Sequence, residues 1–319
     1  MRVGRTAGVT DTGRRRRRNE DAFVVQPPLF AVADGMGGAQ AGEVASKLAA
    51  AALADTDHGQ LRGSEGVVAL IQEANRRVYE RANEDPSASG MGTTMTVALV
   101  EDGQVVIGHV GDSRAYLVRD GSLEQLTDDH SLVNELMKSR KLSPEEAETH
   151  PQRSVITRAL GTDPDVDVDT FTIEAREGDI FLLCSDGLTS MIGDTAILDV
   201  LEHHRRDLDR AARTLVSEAN RGGGEDNITV VAFEIAPGDA DDLEETRRLP
   251  VAGEEDTLSG LDPVPAVDTM VVPPDQVDVV VARGVAPVET RRPAYWRLVA
   301  AMVFLLAVAA VLVVWGLLR

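Results

Sequence analysis

The chain has 319 residues, with 53 Asp and Glu against 32 Lys and Arg and a formal net charge of −21. That balance excludes general nucleic-acid binding, which relies on cationic side chains neutralising phosphates, while the length leaves room for one large domain or two ordinary ones. The single cysteine, Cys184, excludes an intramolecular disulfide and fits a reducing compartment.

In chain order, the first residues carry no continuous apolar segment, so no signal peptide is expected. Arg14 to Arg18 then run directly into Asn19, Glu20 and Asp21. On an extended strand Arg14, Arg16 and Arg18 would share one side. The plain alternative is that all five form a solvated basic patch. Short apolar runs follow at 22–26 and 29–34, and a helix is expected over 42–55. From Ser64 to Asn83, Val67, Leu70, Ile71, Ala74, Val78 and Ala82 recur at helical spacing. Residues 93–100 and 104–111 read as a hairpin around a three-residue glycine-containing loop, and 114–119 with 122–127 as a second hairpin around Asp120-Gly121. Strands are expected at 179–186 and 227–235, with a helix at 207–220 between them. Hairpins grouped together, with helices before and after, predict an α+β domain of antiparallel sheets covered by helices.

Beyond residue 236 the composition changes. Residues 237–293 are rich in Asp, Glu and Pro and lack a sustained period, which predicts a flexible acidic tether that the anionic inner leaflet would repel. Residues 298–318 are 21 uncharged residues. As a helix they would span roughly 30 Å, the thickness of the hydrocarbon core. Tyr295, Trp296 and Trp315 lie at the two edges, and Arg291, Arg292 and Arg297 precede the span, placing the preceding residues in the cytoplasm. A single-pass membrane protein with an N-terminal cytoplasmic domain is expected. Only Arg319 follows the span, so no extracellular sensing by this chain is expected.

Within residues 4–236 a set of carboxylates sits where strands stop and glycine or a turn begins: Glu20, Asp21, Asp34, Asp112, Asp186 and Asp226. Any one is ordinary turn chemistry. Converging, they could not all stay ionised without cations, and hard oxygen donors suit Mg²⁺ or Mn²⁺ rather than zinc.

The ordered set DTGRRRRRNEDAF, VADGMGG, GTTMTVALV, GHVGDSRAYL, SVITRALG, LLCSDGL and GGGEDNITVV resembles the PPM-type (type 2C) metal-dependent protein serine/threonine phosphatases. It is most similar to the bacterial branch that opposes membrane-bound Ser/Thr kinases. The resemblance implies a four-layer α-β-β-α sandwich with two Mn²⁺ or Mg²⁺ ions at one end. It implies that Asp34 bridges the two ions, that Gly35 offers its carbonyl, that Asp186 and Asp226 complete the second ion's shell, and that Glu20 and Asp21 hold metal-bound waters or ligate directly. Asp112 would serve a third ion. Arg16, four residues before Glu20, would grip the substrate phosphoryl group, and a metal-activated water would hydrolyse phosphoserine or phosphothreonine without a phospho-enzyme. Cys184 then belongs to the core. Met36 stands where many eukaryotic members carry a proton-donating His, which leaves the proton donor unassigned, a metal-bound water being the first candidate and His109 and His150 further ones. Residues 128–160 resemble the family's flap beside the site. Phosphorylated proteins, Ser/Thr kinases among them, are the expected partners, with no nucleic acid. A catalytically dead scaffold would predict a lost metal Asp or phosphate Arg, and all are present. A two-metal hydrolase of small phosphate esters would need the same carboxylates.

Overall fold

The computed structural model describes residues 1–37, 41–56 and 62–238, together with the backbone of Met270 and Val271. The chain divides into two units, Met1–Asp275 and Gln276–Arg319, and the described residues belong to the first. Among the described residues no helix is long and apolar enough to cross a membrane. The expected span at 298–318, and nearly all of the expected tether at 237–293, lie outside the described residues.

Two antiparallel sheets carry the fold. The first has the order β1 (Arg2–Asp11), β12 (Ile228–Ala236), β11 (Ile180–Cys184), β7 (Arg114–Arg119), β8 (Ser122–Gln125). The second runs β10 (Asp169–Glu174), β6 (Gln104–Val110), β5 (Met95–Glu101), β3 (Leu29–Met36), β2 (Asp21–Gln26), with β4 (Gly92–Thr93) added beside β3. A third pairing joins β9 (Val155–Ile156) in parallel to β13 (Met270–Val271), so the segment expected to be a structureless tether contributes two paired residues.

The apolar runs are continuous because both faces of the central strands are buried. In β11, Ile180, Leu182 and Cys184 pack outward under helices, while Phe181 and Leu183 point between the sheets. The same alternation in β3 sends Leu29, Ala31 and Ala33 outward and Phe30 and Val32 inward. At the centre Phe233 stacks on Phe30 and Phe181 at ring-centroid distances of 4.1 and 5.1 Å, which ties the two sheets together. Helices α1 (Ala41–Ala54) and α2 (Gly63–Glu84) cover the second sheet. On α1 the buried face is Ala41, Ala45, Ala49 and Ala52, small side chains that let the helix lie close on β3. The first sheet is covered by α5 (Asp186–Thr189), α6 (Asp194–His203) and α7 (Leu208–Gly222). The layers are therefore α-β-β-α. Short helices α3 (Leu132–Lys138) and α4 (Pro144–Glu148) lie in the segment 128–160.

Three local expectations are corrected. The β5–β6 loop has two residues rather than three, because Glu101 pairs with Gln104 and Asp102 and Gly103 both take positive φ, 45° and 79°, as a tight hairpin requires. Asp186 does not end β11; it lies two residues beyond, opening α5. The arginine run is a loop between β1 and β2, not an extended strand, so the expected alternation of its side chains does not hold.

Candidate metal centre

One end of the sandwich gathers the ends of β2, β3 and β12, the β6–β7 loop and the start of α5. Asp21 and Asp34 are direct cross-strand partners in the β2–β3 ladder. Like charges placed opposite each other destabilise a sheet, so the pairing needs a compensating cation or proton. The backbone of Asp34 is fixed by Thr93 and Thr94: its carbonyl accepts from Thr94 N at 2.8 Å and Thr93 Oγ1 at 2.9 Å, and its N–H donates to Thr94 Oγ1 at 2.9 Å. Next in line, Gly35 lies against the first turn of α1. A Cβ there would fall 2.1 Å from the Gly42 carbonyl oxygen, so only glycine admits the helix so close.

Asp21 is 6 % exposed. One of its oxygens accepts from Ser185 Oγ at 2.9 Å and Thr229 Oγ1 at 2.6 Å. The other, Oδ1, is buried without a partner, as is Oδ1 of Asp186. Burial pushes the Asp21 carboxyl up to about 7 against those two hydroxyl donors, with Asp226 and Asp186 adding to the rise. Burial likewise holds Asp34 well above the usual carboxylate range, helped by Asp21, Asp186, Asp226 and Asp112. Asp186 is pushed up to about 6 by burial and then by Asp226. Asp112, in the β6–β7 loop, is raised by burial and then by Asp186 and Asp129. The five aspartates lie close enough to act on one another, with Asp34 feeling Asp21, Asp186, Asp226 and Asp112 together.

The arginine loop closes over them. Arg16 Nη2 lies 2.7 Å from Asp226 Oδ2, and its charge is favoured by Asp226, Asp34 and Glu20 against the cost of burial. Asn227 is the clamp. Its amide nitrogen donates to the carbonyls of Thr12 and Arg18, at 2.9 and 2.8 Å, while its oxygen accepts from Glu20 N at 2.7 Å. The Glu20 carbonyl in turn accepts from Gly35 N and Ser46 Oγ. Nothing in the sequence pattern singled out Asn227, Ser46, Ser185 or Thr229; the only signal for Asn227 was its place beside Asp226.

The donor set fits a hard divalent cation. It consists of carboxylate and carbonyl oxygens, two carboxylate oxygens are buried without partners, and Arg16 and Arg114 offset only part of the charge crowding. Among the described residues no three His, Cys, Asp or Glu side chains are arranged to hold one ion by themselves.

Residues 12–222 match the family described as protein phosphatase 2C. The chain belongs to that family. It is 43 % identical over 236 residues to the serine/threonine phosphatase stp of Listeria welshimeri, covering 70 % of this chain and 93 % of that one. The crystal structure of the Mycobacterium tuberculosis serine/threonine phosphatase PstP/Ppp is similar with a TM-score of 0.70 and 41 % identity, over 74 % of this chain and 100 % of that one. The PstP catalytic domain in complex with 2 manganese ions superposes with a TM-score of 0.68 at 39 % identity, again over 74 % of this chain and 100 % of that one.

Two-C-type family members hydrolyse phosphoproteins, and the other polar candidates divide accordingly. His109 is 1 % exposed and engaged by Thr96 Oγ1 and the Asp128 carbonyl, a core histidine. His150 holds the turn after α4, accepting from Gln152 N at 3.2 Å. Met36 packs with Ile156 and Ala159 and cannot donate a proton. Cys184 is buried, and burial pushes its thiol up to about 12.

Proposed function

We propose that the chain removes phosphate from phosphoserine and phosphothreonine in cytoplasmic proteins, opposing bacterial Ser/Thr kinases. The observation that carries this reading is the convergence of five aspartates and Arg16 at one end of the sandwich, two of the carboxylates directly opposite in one ladder. Two Mn²⁺ or Mg²⁺ ions suit Asp34, Gly35, Asp186 and Asp226, with Glu20 and Asp21 beside them and Asp112 toward a third. When bound, the ions supply an activated water and Lewis-acid stabilisation of phosphoryl oxygens.

The chain's own residues do the rest. Asp21 and Asp186 each keep a buried oxygen without a hydrogen-bond partner, and the other oxygen of Asp21 is held by Ser185 and Thr229. Arg16 turns from Asp226 to the substrate phosphoryl group, where its planar fork matches two oxygens at once. Asn227 keeps the arginine loop, Glu20 and Asp226 in fixed relation, so the phosphate grip and the metal ligands move as one body. The attacking oxygen comes from water, and the leaving group is the serine or threonine alkoxide, so no side chain is phosphorylated.

Residues 4–236 form the phosphatase domain in this reading, residues 237–293 an acidic tether, and residues 298–318 a transmembrane helix that hangs the domain from the cytoplasmic face. The uncharged run, its aromatic edges and the preceding arginines support the anchor. The deciding experiment is hydrolysis of p-nitrophenyl phosphate and of a phosphothreonine peptide by the full chain in detergent, with EDTA, Mg²⁺ or Mn²⁺. Metal-dependent release of phosphate from both is expected. An inert metal-loaded protein would leave a scaffold as the better reading.

A further inference from the structure

The chain concentrates its densest positive charge at the rim of a site built from carboxylates, yet only one of those arginines, Arg16, reaches into it. Arg14, Arg15, Arg17 and Arg18 are exposed. Arg14 and Arg17 make no ion pair among the described residues. Arg15 does something more particular. Its Nη2 lies 4.0 Å from Oε1 of Glu225, while Nη2 of Arg153 approaches Oε2 of the same carboxylate at 3.7 Å. The two guanidiniums come from separate parts of the fold. Arg15 rides on the arginine loop, clamped by the Gly224 carbonyl, which accepts from Arg14 N at 2.7 Å and Arg15 N at 3.2 Å. Arg153 stands on the turn between α4 and β9.

These contacts are loose by the standards of this protein. Arg114 grips Asp129 with two bonds of 2.8 and 2.7 Å, and Arg5 grips Glu234 with two of 2.8 Å. Glu225 instead shares one oxygen with each arginine beyond hydrogen-bond reach, and all three side chains are about half exposed. An exposed pair of this kind contributes little, so its displacement is cheap. Its place is also specific, since Glu225 directly precedes Asp226, the partner of Arg16.

We infer that Arg15 and Arg153 form a receptor for a second anionic group of the substrate, a phosphate or carboxylate a few residues from the scissile phosphoryl group, with Glu225 occupying it until substrate arrives. The inference rests on the phosphatase reading above and names the substrate class of that site: segments phosphorylated twice, or phosphorylated beside acidic residues. Two converging guanidiniums suit a phosphate especially, because it brings roughly two negative charges and three acceptor oxygens. Glu225 keeps the two cations from repelling each other in the meantime. An extended substrate advances roughly 3.3–3.6 Å per residue, so a neighbour two to four positions away lies roughly 7–14 Å from the scissile group.

The test uses phosphothreonine peptides carrying phosphoserine, glutamate or glutamine two to four positions to either side, hydrolysed by the full chain with Mn²⁺. The quantity read is the ratio of kcat/KM for the anionic peptide to that for the glutamine peptide, within each variant. In the wild type the ratio is expected to reach about tenfold at the best position, carried by KM and larger for phosphoserine than for glutamate. It should fall to about one in the Arg15→Ala/Arg153→Ala double variant and rise in Glu225→Gln. A flat ratio at every position in the wild type overturns the inference, and so does a preference that survives the double variant. The p-nitrophenyl phosphate rate separates the two levels, because that substrate has no flanking residue. Turnover of it together with a flat peptide ratio sinks only the inference. If it is not turned over, the phosphatase reading falls, and fluorescence anisotropy of a labelled doubly phosphorylated peptide decides the receptor. Binding lost in the double variant sustains it, and no binding to the wild type overturns it.

Discussion

Arg16 and Asp226 hold each other at 2.7 Å across the mouth of the site, which means that the expected phosphate ligand and an expected metal ligand neutralise one another. Both side chains are only partly exposed, 23 % and 30 %, so neither is left to water alone. The guanidinium balances part of the carboxylate charge at the site, and Asp226 and substrate would compete for it.

Removing Arg16 therefore has two consequences of opposite sign. In Arg16→Ala, kcat/KM for phosphothreonine peptide should fall roughly 10- to 100-fold, mainly through KM, the worth of a charge-assisted hydrogen bond to phosphate. The affinity for Mn²⁺ should rise, because Asp226 loses its competing cation. Steady-state kinetics read the first, isothermal titration calorimetry with Mn²⁺ the second. An unchanged KM would remove Arg16 from the phosphate site.

The Asp21–Asp34 cross-strand pair predicts a conflict between stability and activity. Asp34→Asn keeps the shape of the side chain and removes one of two facing carboxylates. With EDTA present the variant should melt higher than wild type by roughly 2–4 °C, since about 1 kcal/mol of charge crowding is relieved. Its metal-supported rate should drop roughly 100- to 1000-fold, as expected when charge stabilisation at the reacting centre is lost. Wild type, unlike the variant, should gain stability on adding Mn²⁺. Paired thermal melts with EDTA and with Mn²⁺ check both signs.

A catalytic route through water leaves no task for a thiol. Cys184 is fully buried under the helices of the first sheet, and burial pushes its thiol up to about 12. Cys184→Ala should keep kcat within about twofold, and a thiol-directed reagent should leave the native protein unmodified until it is unfolded. Loss of activity on native-state alkylation would point to an exposed, functional cysteine and against this core placement.

How far the sequence alone reaches depends on burial. β3, β11 and β12 were legible as apolar runs because both faces of each are covered, by the opposite sheet and by helices. β1 and β10 were not, being edge strands whose residues are mostly exposed or half-buried; in β1 only Ala7 is buried. α6, ten residues with two buried positions, Ile197 and Leu201, gives too weak a stripe to read. The aspartates announced themselves by sitting beside glycine at element ends, and the structure brings them together. Asn227 did not, since a buried amide acting through three hydrogen bonds leaves no periodicity, and its partners Thr12, Arg18 and Glu20 are more than 200 positions away along the chain. The bend of the arginine loop was not legible, because nothing local reveals that Gly224 and Asn227 will hold it.

His109 makes the stability of the fold depend on pH in a direction that can be worked out. Its ring is 1 % exposed and faces Thr96 Oγ1, the Asp128 carbonyl, the ring of His130 at 4.8 Å, and beyond that Asp169 and Arg158. Burial and then His130 drive its pKa down to about 3, whereas in the unfolded chain it titrates near 6.5. Between those values the unfolded state binds a proton that the folded state refuses, so stability falls as pH falls. At pH 5 the loss is about 2 kcal/mol, one and a half units at 1.36 kcal/mol each. His130, lowered by burial and Arg158, acts in the same sense. The raised carboxyls of Asp21 and Asp186 act in the opposite sense, since a folded state that keeps its protons gains on acidification. Only a difference isolates His109. Urea unfolding of wild type and His109→Gln at pH 7, 6 and 5 should show the variant less stable at pH 7, with the gap closing by about 2 kcal/mol at pH 5. A gap that stays constant across the series would mean that His109 titrates alike in the folded and unfolded chain, and a gap that widens toward pH 5 would mean that it is protonated in the folded protein, paired with a charge rather than held neutral by burial.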